Sequence, residues 1–98
     1  MSTSGRGIVL ALSGGIGGAK LALGLSRVLA SSDLAILANT GDDFEHLGLA
    51  ISPDIDTLVY TLAGIANPET GWGRAEESWN FMQATAALGS ETWFQLGD

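Results

Sequence analysis

Four carboxylates fall close together along this chain, at Asp42, Asp43, Asp54 and Asp56. The chain has no cysteine, so thiolate metal sites and disulfides are excluded. Oxygen ligands alone favour a hard cation, Mg2+ before zinc. Magnesium takes one or two protein carboxylates and fills its shell with water and substrate phosphate. Neighbouring side chains of an extended segment point opposite ways, so Asp42 and Asp43 are not expected to face one ion together. Asp42 and Asp56 are the expected metal ligands, with Asp43 as the alternate for Asp42. Asp54 reads as support for a helix start, and Asp43 and Glu45 also fit as solvated loop residues.

A second group that could do chemistry is Ser13-Gly14-Gly15-Ile16-Gly17-Gly18-Ala19-Lys20. Glycines let backbone N–H groups come close to an anion. A helix start adds unpaired donors and a partial positive charge. Lys20, read as lying in the first helical turn, sits at the unfavourable end of the dipole, a penalty that a bound anion removes. The stretch is neither a complete dinucleotide fingerprint, since Lys20 stands at its third glycine, nor a P-loop, since Leu21 follows the lysine. Phosphate is the expected ligand; a tight strand-to-helix turn is the plainer alternative.

Other residues carry weaker signals. His46 reads as a surface or packing residue. Trp72, between Gly71 and Gly73, suits stacking on a flat ring or plugging the core. Trp79 and Trp93 lie on periodic segments and are expected in the core. Arg74 suits pairing with Glu77 or Ser78, or a phosphate.

These residues need elements to hold them. Residues 7–12 form an apolar run with the length of a buried strand, and 18–30 suit a helix. Residues 34–39 read as a second strand, apolar on both faces as parallel strands are. A loop over 40–48 follows. Ser52 as N-cap and Pro53 as first helical residue start a helix whose Ile55, Leu58, Val59 and Leu62 are expected to pack inward. A loop over 67–73, a helix over 75–88 with Gly89 as its stop, and a third strand over 91–96 complete the reading. The order predicts an α/β fold with an open, mostly parallel sheet. Ligands of such sheets bind beyond the carboxyl ends of the strands. The glycine loop, Asn39-Thr40-Gly41-Asp42-Asp43 and Gly97-Asp98 all end there, so Ser13, Asn39, Thr40, Asp43 and Asp98 join the expected substrate-binding residues.

Composition narrows the partners. Of 98 residues, 46% are hydrophobic and 15% charged, which excludes a disordered chain. Net charge is −7, and the basic residues are only Arg6, Lys20, Arg27 and Arg74. No basic stripe awaits a nucleic-acid backbone. The opening Met1-Ser2-Thr3-Ser4-Gly5-Arg6 suits a leader peptide, but glycines break the apolar run behind it, and no segment reaches membrane-spanning length. A cytoplasmic protein without a membrane partner is expected.

Ser13-Gly14-Gly15-Ile16-Gly17-Gly18-Ala19-Lys20-Leu21, Asn39-Thr40-Gly41-Asp42-Asp43, Ile51-Ser52-Pro53-Asp54-Ile55-Asp56-Thr57, Gly71-Trp72-Gly73 and Leu96-Gly97-Asp98 occur in this order. Together they resemble the 2-phospho-L-lactate transferases of coenzyme F420 biosynthesis. The resemblance implies a Rossmann-like, three-layer α/β fold and a magnesium-dependent transfer. A phospholactyl-type group passes from a guanosine diphospho donor to the hydroxyl of a 7,8-didemethyl-8-hydroxy-5-deazariboflavin acceptor, releasing GMP. On that reading Asp42 and Asp56 are catalytic as well as metal-binding, and Trp72 lies against the acceptor ring. Family members run to about three such lengths. Residues 1–98 are therefore expected to be the amino-terminal part of one transferase domain, with no second domain, from a protein that is homodimeric at full length. Two alternatives compete: a nucleotide- or sugar-nucleotide-binding regulator of the gluconeogenesis-factor type, and a nicotinamide-dependent dehydrogenase domain, against which Lys20 counts.

Overall fold

A computed structural model describes residues 7–98; the leader-like opening Met1–Arg6 lies outside the described residues. The chain is α/β. Strand β1 (Val9–Ser13) leads into helix α1 (Gly15–Val28), and a short 3-10 turn (Ser31–Asp33) leads into strand β2 (Leu34–Ala38). β1 and β2 pair in parallel, Val9 opposite Leu34 through Ser13 opposite Ala38. Strands β3 (Phe44–His46) and β4 (Leu49–Ile51) form an antiparallel hairpin. Helices α2 (Pro53–Ala63) and α3 (Asn80–Ala87) follow.

One face of the parallel pair is covered. Ala19 and Ala22 of α1 and Leu58 of α2 make a small buried core, and Ile36 and Ala38 of β2 pack against it. Two alanines on α1 let the helices approach closely, and α1 contacts both α2 and the sheet. Side chains alternate across a strand, so Leu10, Leu12 and Leu37 point to the opposite face, where they are exposed. The described sheets hold two strands each, so the parallel pair supports the α/β class, while three layers are more than these elements form.

Several sequence-based expectations change. Helix α1 starts at Gly15, three residues before its expected start, which puts Lys20 in the second turn, where the dipole effect has faded. The expected loop over 40–48 contains β3 and the hairpin turn: Leu47 and Gly48 both have positive φ, 51° and 77°, the twist that closes a two-residue hairpin. Helix α3 begins at Asn80 and not at residue 75. Residues 91–96 form no strand; among the described residues no neighbouring strand offers them a ladder. Trp93 is exposed and Trp79 half-exposed, so neither is core. On α2 the buried stripe runs through Asp54 and Leu58, leaving Ile55, Val59 and Leu62 exposed.

Candidate functional site

The carboxyl ends of β1 and β2 open onto a cleft of about 480 Å³ lined by Ser13, Gly14, Asn39 and Thr40. Ser13 is 6% exposed, and its Oγ has no hydrogen-bond partner in the described structure. The N-terminus of α1 faces this region. Gly14 is its N-cap, with no side-chain cap and no acidic residue in the first turn. The glycines do different work. Gly15 has φ of +69°, a left-handed conformation that favours glycine. A Cβ on Gly18 would lie 2.6 Å from Ser13 Oγ and 3.1 Å from Ser13 Cα, so Gly18 lets α1 lie against the end of β1. A Cβ on Gly17 would meet no atom within 4 Å, so no neighbour in this chain demands glycine there.

Asp54 joins the elements around this edge. Its Oδ1 accepts the Gly15 N–H at 2.8 Å, and its Oδ2 accepts from Asn39 Nδ2 at 3.1 Å. Asn39 Oδ1 accepts the Gly41 N–H at 3.1 Å. The turn is completed where the Asp43 N–H donates to the Thr40 carbonyl at 3.1 Å. Asp54 thus reaches beyond its own helix start. The spacing did contain a signal. Residues four apart share a helix face, so the inward Leu58 places Asp54 inward too. Asp56, two residues on, is rotated to roughly the opposite side.

Asp56 lies on the wall of a second cleft, of about 1020 Å³, shared with Tyr60, Trp72, Arg74, Trp79 and Phe94. Partial burial raises the pKa of Asp56, and the negative charge of Asp43 raises it further. The neighbouring charge that acts on Asp56 is that of Asp43, the alternate to Asp42 in the sequence reading; both loop aspartates are solvent-exposed. Among the described residues no three acidic or histidine side chains converge on one point. Burial also raises the pKa of Tyr60, with Asp56 and Glu77 adding to the shift and Arg74 opposing it. Tyr60 therefore stays a neutral phenol on the cleft wall.

Trp72 is 56% exposed on this wall and does not plug the core. Its loop is held near α1 because Gly71, with φ of +78°, sits against the Ile16 side chain. Within the loop, Thr70 Oγ1 donates to the Trp72 carbonyl at 2.6 Å. Arg74 bridges back to Ala66. Lys20 is exposed on α1. His46 is 3% exposed and packed edge-on against Trp93 and Phe94, a packing residue whose Nε2 has no hydrogen-bond partner. Asp98 has a structural task that its spacing did not reveal. Its Oδ1 accepts the Phe81 N–H at 2.8 Å, and its Oδ2 accepts the Asn80 N–H at 2.9 Å and the Ser78 hydroxyl at 2.7 Å. It caps α3 from a distance, and those bonds lower its pKa to about 2.

A parallel strand pair, a cleft at its carboxyl edge, a helix start whose first N–H is taken by Asp54 and two interacting carboxylates define an α/β protein with a polar edge suited to ligands. The chain belongs to the 2-phospho-L-lactate transferase family: the family described as 2-phospho-L-lactate transferase CofD matches residues 9–90. It is 46% identical over 91 residues to the phosphoenolpyruvate transferase of Streptomyces avermitilis, covering 92% of this chain and 28% of that protein. The phosphoenolpyruvate transferase of Thermobifida fusca is 41% identical over 99 residues, with 92% of this chain and 31% of that protein covered. That of Mycobacterium tuberculosis is 38% identical over 104 residues, again covering 92% and 31%. The chain thus spans under a third of the length of these relatives. No described helix is long and apolar enough to cross a membrane.

Proposed function

We propose that this chain supplies the donor-phosphate and metal side of a transferase of coenzyme F420 biosynthesis. The full-length protein moves a three-carbon-acid phosphate from a guanosine diphospho donor to the hydroxyl of a deazaflavin riboside. The name shared by the relatives favours phosphoenolpyruvate as that acid. The observation that carries the reading is the Gly15–Asp54 hydrogen bond, which joins the α1 start to the first turn of α2, the turn that bears Asp56. The α1 amides lie at the edge where α/β sheets hold ligands, and the Gly15–Asp54 bond ties the first turn of α2 to that edge.

In this reading the N–H groups of Ile16, Gly17 and Gly18 hold donor phosphate, since the Gly15 N–H is already taken by Asp54. The open space at Gly17 leaves room for the phosphate. Asp43 and Asp56 fit a divalent cation, because their mutual repulsion is relieved by positive charge between them. Magnesium bound there supplies neutralisation of phosphate charge. The acceptor ring lies in the larger cleft against Trp72, with Tyr60 as a hydrogen-bond donor. The acceptor hydroxyl forms the new bond to the terminal donor phosphorus, the bond to the bridging oxygen breaks, GMP leaves, and the hydroxyl proton is lost to solvent. What the chain contributes is placement and charge complementarity. A three-layer Rossmann-like sheet in a cytoplasmic homodimer is the proposed setting.

The test is GMP release by the full-length protein, with acceptor saturating and magnesium titrated. Asp43→Asn and Asp56→Asn are expected to lower kcat by about a hundredfold and raise the magnesium requirement, with Asp42→Asn affecting both less. Near-normal kcat and magnesium dependence in both of the first two variants would remove these residues from the mechanism. Nucleotide binding without turnover of any acceptor would point instead to a regulator.

A further inference from the structure

Of the aspartates at 42, 43, 54 and 56, only Asp54 is buried, at 7% exposure. Its two oxygens serve two different elements. Oδ1 takes the Gly15 N–H at the start of α1, across 39 residues of chain. Oδ2 takes Asn39 Nδ2 at the exit of β2. The Asn39 side chain passes the connection on by accepting the Gly41 N–H. One run of hydrogen bonds therefore links the helix start that carries the amides to the turn that carries Asp43. Its middle member stands two residues from Asp56.

Side-chain chemistry explains why an aspartate stands here. Gly15 and Asn39 both present donors, so the residue between them must accept twice. An asparagine has one acceptor oxygen and an NH2 group that would face a donor. A glutamate carries the same acceptors one methylene too far for a buried gap of fixed width.

We propose that Asp54 is a positioning residue: it sets the Ile16–Gly18 amides against Asp43 and Asp56, so that a phosphate held by the amides meets a cation held by the carboxylates in one geometry. This rests on the transferase reading for what phosphate and cation do, but the bridge itself is testable without turnover.

The experiment uses the full-length protein with Asp54→Asn, Asn39→Ala, the double variant, and Leu58→Ala as a reference. Leu58 is buried on the same helix and makes none of the bridge's hydrogen bonds. Amide exchange at Gly15 and Gly41 is measured without ligand, GDP affinity with magnesium present, and GMP release with saturating acceptor. Asp54→Asn is expected to speed exchange at both glycines, weaken GDP about tenfold, and lower kcat roughly ten- to a hundredfold, with acceptor KM changed less than about twofold. The double variant should be no worse than the worse single one, because both cut the same connection. Leu58→Ala should lower Tm without these losses. The proposal is overturned if Asp54→Asn behaves like Leu58→Ala at equal loss of Tm, or if the effects of Asp54→Asn and Asn39→Ala multiply. If the unmutated protein binds GDP but releases no GMP, the transferase reading falls. The bridge is then judged on exchange and GDP affinity: loss of both supports it, and unchanged affinity overturns it.

Discussion

Asp56 is held in a place that does not suit its charge. Partial burial and the neighbouring Asp43 both raise its pKa, so its ionised form disfavours the folded state. The sign follows from linkage. With the folded pKa above the usual 3.8, the native state binds more protons in that window, and stability falls as pH rises through it. Asp56→Asn is therefore expected to leave Tm unchanged or raise it at neutral pH while turnover collapses, a trade of stability for function seen at active sites. A thermal melt beside the GMP assay checks this; a clear drop in Tm would show that Asp56 supports the fold. The glycines allow a matched contrast. Gly18→Ala crowds Ser13 and should cost roughly 1–3 kcal/mol, whereas Gly17→Ala has open space and should be neutral or stabilising by about 0.5–1 kcal/mol. Chemical denaturation of the two variants separates them. Sequence showed that this loop wanted glycine, but not that one glycine is demanded by Ser13 and another by no neighbour in the chain. It showed four aspartates, but not that Asp54 reaches Gly15 and Asn39, because that reach depends on how three elements meet.

Local pattern located the elements that carry their own signals. The apolar runs of β1 and β2 and the Ser52-Pro53 start of α2 lie within a residue or two of their expected places. Elements that depend on distant partners did not follow local pattern. Residues 91–96 have strand-like composition but pack Trp93 and Phe94 against Phe44 and His46 of the hairpin instead. Helix α3 starts late because its cap comes from Asp98, 18 residues beyond Asn80 and invisible to any local capping rule. Asp98→Ala should therefore fray the first turn of α3, read as faster exchange of the Asn80 and Phe81 amides, with α1 and α2 unaffected. Its pKa is lowered to about 2, so the contribution is complete above the ordinary 3.8 and fades as pH falls through about 2. Ser52 occupies the N-cap of α2 but makes no side-chain capping bond, so Ser52→Ala should be nearly silent in a melt, unlike a bonded N-cap.

The described residues form a long, thin body, 59 × 24 × 19 Å, with a radius of gyration of 16.6 Å. A compact chain of this length has about 13 Å. The reason is visible in the packing. The shared core of α1 and α2 is small and built largely from alanines, so it offers little apolar area. Meanwhile Leu10, Leu12 and Leu37 line an uncovered sheet face, and Ile55, Val59 and Leu62 line an uncovered side of α2. Exposed apolar patches of this kind mark surfaces that other structure covers. The relatives are more than three times as long as the matched region, which is where such cover is available. The 98-residue chain by itself is thus expected to unfold with a shallow transition, to bind a hydrophobic dye strongly, and to associate with rising concentration. In the full-length protein the amides of β1 and β2 should instead be among the slowest to exchange. The comparison needs one denaturation series and one exchange series on the two lengths. A steep, reversible transition of the short chain with no dye binding would show that its small core suffices and that these faces need no cover.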